Sequence, residues 1–238
     1  MNQEERRRFL IEELLRERLS CRRQEIPADT DRQKVLLRSL MNVRHPGAIS
    51  QRFLEVQDAY LQGELAAKKI TRLSELSPLQ NGIYLWRGDI TTLDCGAIVN
   101  AANSGMTGCY QPCHNCIDNC IHTFAGVQLR QDCAALMAEQ GHEEPTGQAK
   151  ITKAYNLPCD YVLHTVGPIV SGRVTREDER LLASCYRSCL ELAEKNSVRS
   201  IAFCCISTGV FHFPNERAAE IAVETVRRYK VGTGSKIK

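Results

Sequence analysis

No stretch of this 238-residue chain approaches the roughly 20 consecutive apolar residues that a membrane span needs. Aromatic residues are sparse, at 6% with a single Trp, and neither sign of charge dominates: 31 Lys+Arg face 28 Asp+Glu. The resulting +3 sits wholly within residues 1–82 and leaves the remainder balanced. A neutral body argues against nucleic acid as a partner, because that needs a concentrated basic face. With only 15 Gly and 8 Pro the chain is neither collagen-like nor of low complexity, and no internal repeat is visible. No apolar h-region follows the charges of residues 1–8, so no secretory leader is expected. Cytoplasmic localisation, with reduced thiols, is the expectation.

Hydrophobic periodicity divides the chain near Gly82. Phe9-Leu10-Ile11, Leu14-Leu15 and Leu19 recur at helical spacing, with Arg6-Arg7-Arg8 and Arg22-Arg23 expected on solvated faces. Thr30-Asp31-Arg32-Gln33 reads as a capping box opening a second helix, ended by His45-Pro46-Gly47. A third helix runs from about residue 50 to 68. Beyond Gly82 strands alternate with helices. Residues 83–86 and 97–99 read as short buried strands, and 117–140 as helical with a break near Gly126. Strands are expected at 149–154, 161–166 and 200–206, and helices at 178–195 and 214–229. This predicts an α/β layered domain over 83–238, preceded by a helical extension over 1–82.

Twelve cysteines are the abundant feature. Cys204-Cys205, Cys185 and Cys189 read as small buried hydrophobes. Cys109, Cys113, Cys116 and Cys120 cluster around His114 and carry two readings. Thiolates with an imidazole at short spacing suit tetrahedral Zn²⁺, whereas the same four positions also form one helical stripe of buried thiols. Gly108 and Pro112 weigh against a helix there.

Ligands of α/β sheets bind beyond the carboxyl ends of the strands. There Asp89 follows Gly88, Asn100 and Asn103 offer two amides, and a small-residue loop at 207–214 leads into a helix whose N–H groups suit a phosphate. Singly, each is equally an ordinary turn or cap.

Taken in order, Gly88-Asp89-Ile90-Thr91, Ala97-Ile98-Val99-Asn100-Ala101-Ala102-Asn103, Asp118 to His122, Ala125-Gly126, Pro145-Thr146-Gly147 and Ser207-Thr208-Gly209-Val210-Phe211 resemble a macrodomain over about residues 83–230. In place of the glycine-rich stretch usual before the residue matching Asp118, this chain has Cys109, His114 and Cys116. That pattern, Cys-x4-His-x-Cys, resembles the zinc-containing macrodomains described as protein-ADP-ribose hydrolases.

The resemblance implies a three-layer α/β/α fold with a mixed central sheet. It also implies Zn²⁺ held by Cys109, His114 and Cys116, and removal of mono-ADP-ribose from modified proteins by cleavage at C1 of the distal ribose. Asp89, with the Ile90 backbone, would read the adenine amine. Ser207, Thr208, Gly209, Val210 and Phe211, with the backbone near Ile121 and Gly126, would wrap the diphosphate. Asn103 would contact the distal ribose and Asp118 its reacting face. Cys113 is extra to the motif, either an alternative ligand or a thiol behind the ligands, and Cys120 is left to the core. His122 and His164 are expected to be packed, and His212 to lie in the phosphate loop. Some relatives are encoded beside a lipoyl-carrier protein and a sirtuin-like ADP-ribosyltransferase, the partners the resemblance implies. A rival of the same fold would bind ADP-ribose without cleaving it. In a third reading the zinc is structural and the chain an interaction protein. Macrodomains usually add a strand after the last helix, and residues 234–238 stand where it would begin.

Overall fold

The computed structural model describes residues 1–18, 25–80 and 82–238; Leu19, Arg22 and Arg23 lie outside them. Each helix of the extension starts on a side chain that takes up an otherwise unpaired backbone N–H. Asn2 and Glu5 form a capping box ahead of α1 (Gln3–Glu17). Asp29 accepts from the Arg32 amide ahead of α2 (Thr30–Val43), and Ser50 from Phe53 ahead of α3 (Gln51–Ala66). The second cap therefore falls one residue before the expected box. Gln33 is drawn inward instead: it accepts from Arg7 Nε at 2.9 Å and donates to the Pro27 carbonyl at 2.7 Å. Arg7 is accordingly buried rather than solvated. Leu10, Ile11, Leu14, Leu37, Phe53 and Tyr60 close a core of their own, which Val127 joins from beyond the extension.

Residues 71–94 hold four short strands, β1 (Thr71–Arg72), β2 (Pro78–Gln80), β3 (Ile83–Tyr84) and β4 (Leu93–Asp94). β1 pairs in parallel with β4, across the boundary expected at Gly82, and β2 with β3 as an antiparallel hairpin. The strand expected over 83–86 stops at Tyr84, and Leu85 is 79% exposed, because this hairpin stands outside the main sheet.

The main sheet is mixed. Its strands are β5 (Ala97–Ala102), β6 (Ala149–Lys153), β7 (Tyr161–Val166) and β8 (Ile201–Ala202), in the order β6-β7-β5-β8 with β6 antiparallel. Alternation along the strands builds a core on each face. Ile98 and Val162 pack with α4 (Ile117–Ala125) and α5 (Val127–Gln140). Ala97, Val99 and Leu163 pack with α6 (Arg176–Lys195) and α7 (Asn215–Thr233). The result is a three-layer α/β/α body. Gly126, at φ +102°, separates α4 from α5 at the expected break.

β8 is shorter than the buried strand expected over 200–206, and Cys205 is exposed, contrary to the buried-thiol reading. After α7 the chain does return to the sheet. Lys238 donates to the Arg199 carbonyl at 2.9 Å and accepts from the Ile201 amide at 2.8 Å, with Ile237 buried. Among the described residues no helix is long and apolar enough to cross a membrane.

Candidate active site

Asp118 lies in the first turn of α4, where the helix dipole favours negative charge. Two amides reach it from the end of β5 and the loop beyond. Asn100 Nδ2 donates to Oδ1 at 2.8 Å, and Asn103 Nδ2 lies 3.4 Å from Oδ2 and 3.2 Å from the Gly108 carbonyl. Burial nonetheless dominates and pushes the carboxyl up to about 6, against the downward pull of the Asn100 hydrogen bond and the Arg130 charge. His122 follows one turn later. Its Nε2 is 3.5 Å from Asp118 Oδ1, yet neither ring nitrogen makes a hydrogen bond, and burial holds the ring neutral.

Immediately before α4 the chain forms the loop 109–116. Cys116 caps the helix, its Sγ accepting from the Asn119 amide at 3.4 Å. Cys109 Sγ, His114 Nδ1 and Cys116 Sγ lie within 4.8 Å of one another, the first two 3.7 Å apart. Ligands at Zn–S and Zn–N bond lengths around a tetrahedral centre stand about 3.5–3.8 Å apart, so these donors fit a zinc ion. The loop is not helical, so the single helical stripe of cysteines does not exist; only Cys120 lies within α4.

Cys113 is turned away. At φ +54° its amide donates to Asn42 Oδ1 at 2.9 Å, and its thiol faces the Val35 carbonyl at 3.5 Å, both on α2. From the same helix Arg38 Nη2 donates to the His114 carbonyl at 2.8 Å and to Asn119 Oδ1 at 3.0 Å, and lies 3.6 Å from Cys120 Sγ. Sequence reasoning missed Arg38 and Asn42. Their one signal is a pair of polar residues four apart, hence on one face, among the apolar residues of the second half of α2.

The loops after β7 and β8 meet each other. A Cβ at Gly167 would lie 2.0 Å from Ser207 Oγ, so only glycine permits the approach. Ser207 is buried at φ +64° with its hydroxyl unpaired. The turn is closed by Phe213 N donating to the Ser207 carbonyl at 3.0 Å and Val170 N to that of Phe211 at 2.9 Å. Among the described residues, the N–H groups of Ser207, Gly209, Val210 and Phe211 have no protein acceptor, while that of Thr208 turns back to Cys205. Four amides without a protein acceptor in one short turn are available to an anion.

Asp89 keeps one oxygen for the local turn, accepting from Thr91 N at 3.0 Å and Thr91 Oγ1 at 2.6 Å; the other lies 3.7 Å from Lys68 Nζ. Lys68 in turn stands 3.9 Å above the Phe124 ring. Ile90 opens the short turn that Asp89 caps. Ile121 and Gly126 are the part of the expected cradle that protein covers: Ile121 is fully buried in α4, and Gln57 from α3 closes over Gly126. His212 is exposed, at φ +57°.

A three-layer body with a mixed sheet, an amide nest after β8 and a buried Asp–Asn group beyond β5 define a macrodomain. The Macro domain family matches residues 99–222, and the chain belongs to that family. Over its full length it is 64% identical to a protein-ADP-ribose hydrolase of Treponema medium, of which it covers 93%. It is 49% identical to a protein-ADP-ribose hydrolase of Staphylococcus aureus (strain MSSA476), over 97% of this chain and 87% of that one. The solved Trypanosoma brucei macrodomain in complex with ADP-ribose is similar at a TM-score of 0.65 and 32% identity, over 84% of this chain and 86% of that one.

Proposed function

We propose that this chain is a protein-ADP-ribose hydrolase that releases mono-ADP-ribose from modified proteins by cleavage at C1 of the distal ribose, with Zn²⁺ held by Cys109, His114 and Cys116. The observation that carries the reading is the buried Asp118 carboxylate, tied to Asn100 and Asn103 and set close in sequence to the Cys-His-Cys donor group. An ADP-ribose reader needs only the adenine and diphosphate loops. The full-length similarity to two protein-ADP-ribose hydrolases supports the same conclusion.

In this reading the unpaired amides of Ser207, Gly209, Val210 and Phe211 bind the diphosphate, with Thr208 closing the turn. No Lys or Arg is needed for that, in keeping with a neutral body. Asp89 accepts from the adenine amine through the carboxylate oxygen that the turn leaves free. Asn103 orients the distal ribose against Asp118, which holds and accepts the proton of the attacking water. Cys109, His114 and Cys116 would hold the zinc, which would supply Lewis-acid polarisation at the ribose. Coordination needs the thiols as thiolates, and burial raises the Cys116 thiol to about 11, so loading displaces its proton and tightens as pH rises.

The test is release of ADP-ribose from a panel of modified acceptors, including a lipoyl-carrier protein modified by a sirtuin-like ADP-ribosyltransferase. Asp118→Ala should lower release at least about 100-fold while ADP-ribose still binds. Binding by the wild type without release from any acceptor would make the chain a reader.

A further inference from the structure

His164 is fully buried at the centre of β7, and the proposed reaction gives it no task. Its neighbours nonetheless specify its protonation atom by atom. Asn100 stands opposite it in the parallel β5–β7 register. The single nitrogen Asn100 Nδ2 lies 2.8 Å from Asp118 Oδ1 and 3.1 Å from His164 Nδ1. A carboxylate only accepts, so the Asn100 NH₂ must face it, and its second hydrogen then points at His164 Nδ1. That nitrogen therefore carries a lone pair and Nε2 carries the proton. On the far side Thr152 Oγ1, from β6, lies 2.9 Å from Nε2 and accepts that proton. A continuous row of donors and acceptors thus crosses three strands and ends on the carboxylate.

A second observation shows that the row has a cost. Asn100 Oδ1 is buried with no partner, an unfavourable state for a carbonyl. Turning the amide over would present this oxygen to Asp118, acceptor against acceptor. The Nδ1 lone pair opposes the same turn by pairing only with the NH₂ side. Burial also lowers His164 to about 3, which keeps the ring neutral and the lone pair in place. His164 lies in a buried trio with His122 and Cys133, whose Sγ is 3.8 Å from Nε2, but Asn100 and the nearer Thr152 at 2.9 Å already engage its two nitrogens, so the trio is not read as a metal site.

We propose that His164 is a positioning residue for Asp118: as the Nε2–H tautomer, fixed by Thr152, it locks the Asn100 amide in the one orientation that donates to the carboxylate. The proposal rests on the hydrolase reading for its consequence, though its geometry can be checked without substrate. In ¹⁵N-histidine-labelled wild-type protein, His164 should show a neutral ring protonated at Nε2 across the working pH range. A proton on Nδ1 would overturn the proposal whether or not the chain is a hydrolase.

Thr152→Val removes the acceptor at nearly constant volume. It should lower kcat for ADP-ribose release about tenfold, with KM and ADP-ribose affinity unchanged within about twofold and the fold retained; Thr152→Ser should restore kcat. Wild-type kcat in Thr152→Val, or an equal loss in the Ser variant, would also overturn it. A wild-type chain that releases nothing would bring down the hydrolase reading, and the ring protonation would still decide this one.

Discussion

At the scale of single residues, the site is governed by burial working against charge. A carboxylate at the head of a helix normally gains from the dipole, but Asp118 sits high because desolvation outweighs the Asn100 hydrogen bond and the Arg130 charge. Its folded value exceeds the ordinary 3.8 of a free aspartate, so the stability it contributes is present below about 3.8 and lost as pH rises through about 6. The histidines run the other way. His164 near 3 and His122, also lowered, contribute stability that is present above 6.5 and lost as pH falls. Two groups against one give a net acid-side loss. Unfolding free energy measured in urea should therefore fall from pH 6.5 toward 5, at up to about 1.4 kcal/mol per unit for each histidine less the Asp118 offset. A flat profile would show that only one ring is held neutral, since one would just offset Asp118, and stability rising toward pH 5 would show that neither is. Gly167 gives a steric prediction. Gly167→Ala would drive a methyl into Ser207 Oγ and should weaken ADP-ribose binding about tenfold, read by calorimetry, with the fold retained. Unchanged affinity would remove the 207–211 turn from the diphosphate site.

At the scale of elements, α2 is as much a part of the site as α4. Arg38 and Asn42 tie the 109–116 loop to the extension, and Asn42 also donates to Thr123 of α4 at 2.8 Å. Buried charged and amide groups of this kind hold a ligand loop in place before any metal arrives. Arg38→Gln should therefore lower zinc affinity about 10-fold or more in a chelator competition, while ADP-ribose still binds. Equal affinity would leave the extension outside the metal site.

This partnership also marks where the sequence stops being readable. β5, β6, β7 and the α4–α5 break at Gly126 follow from period and punctuation and lie close to where they were expected. The Cys-His-Cys trio and the Asn100–Asn103 pair were visible because each sits in one short segment. The α2 clamp was not. It joins residues 71 to 82 positions apart, and no local pattern records such a contact. β8 was overestimated because Phe203, Cys204 and Cys205 continue an apolar run after the pairing with β5 has ended. The hairpin strand at 83–84 looked like core for the same reason.

At the scale of the whole molecule, a balanced α/β/α body carries the proposed nucleotide-binding loops, and a helical extension braces the 109–116 loop proposed to hold zinc. The near-neutral charge has a consequence for partners: affinity for ADP-ribose should depend only weakly on salt, since backbone amides rather than Lys or Arg meet the diphosphate. A steep loss between 50 and 200 mM salt, on the order of that seen for polycation binding, would contradict the amide nest. The central claim is a metal-dependent hydrolase, and one experiment reaches it most directly. Release of ADP-ribose from a mono-ADP-ribosylated protein is followed on a preparation of known zinc content, before and after chelation. The expected result is about one zinc per chain, release lost on chelation and recovered with added zinc, and ADP-ribose binding retained throughout. Undiminished release from zinc-free protein would contradict it.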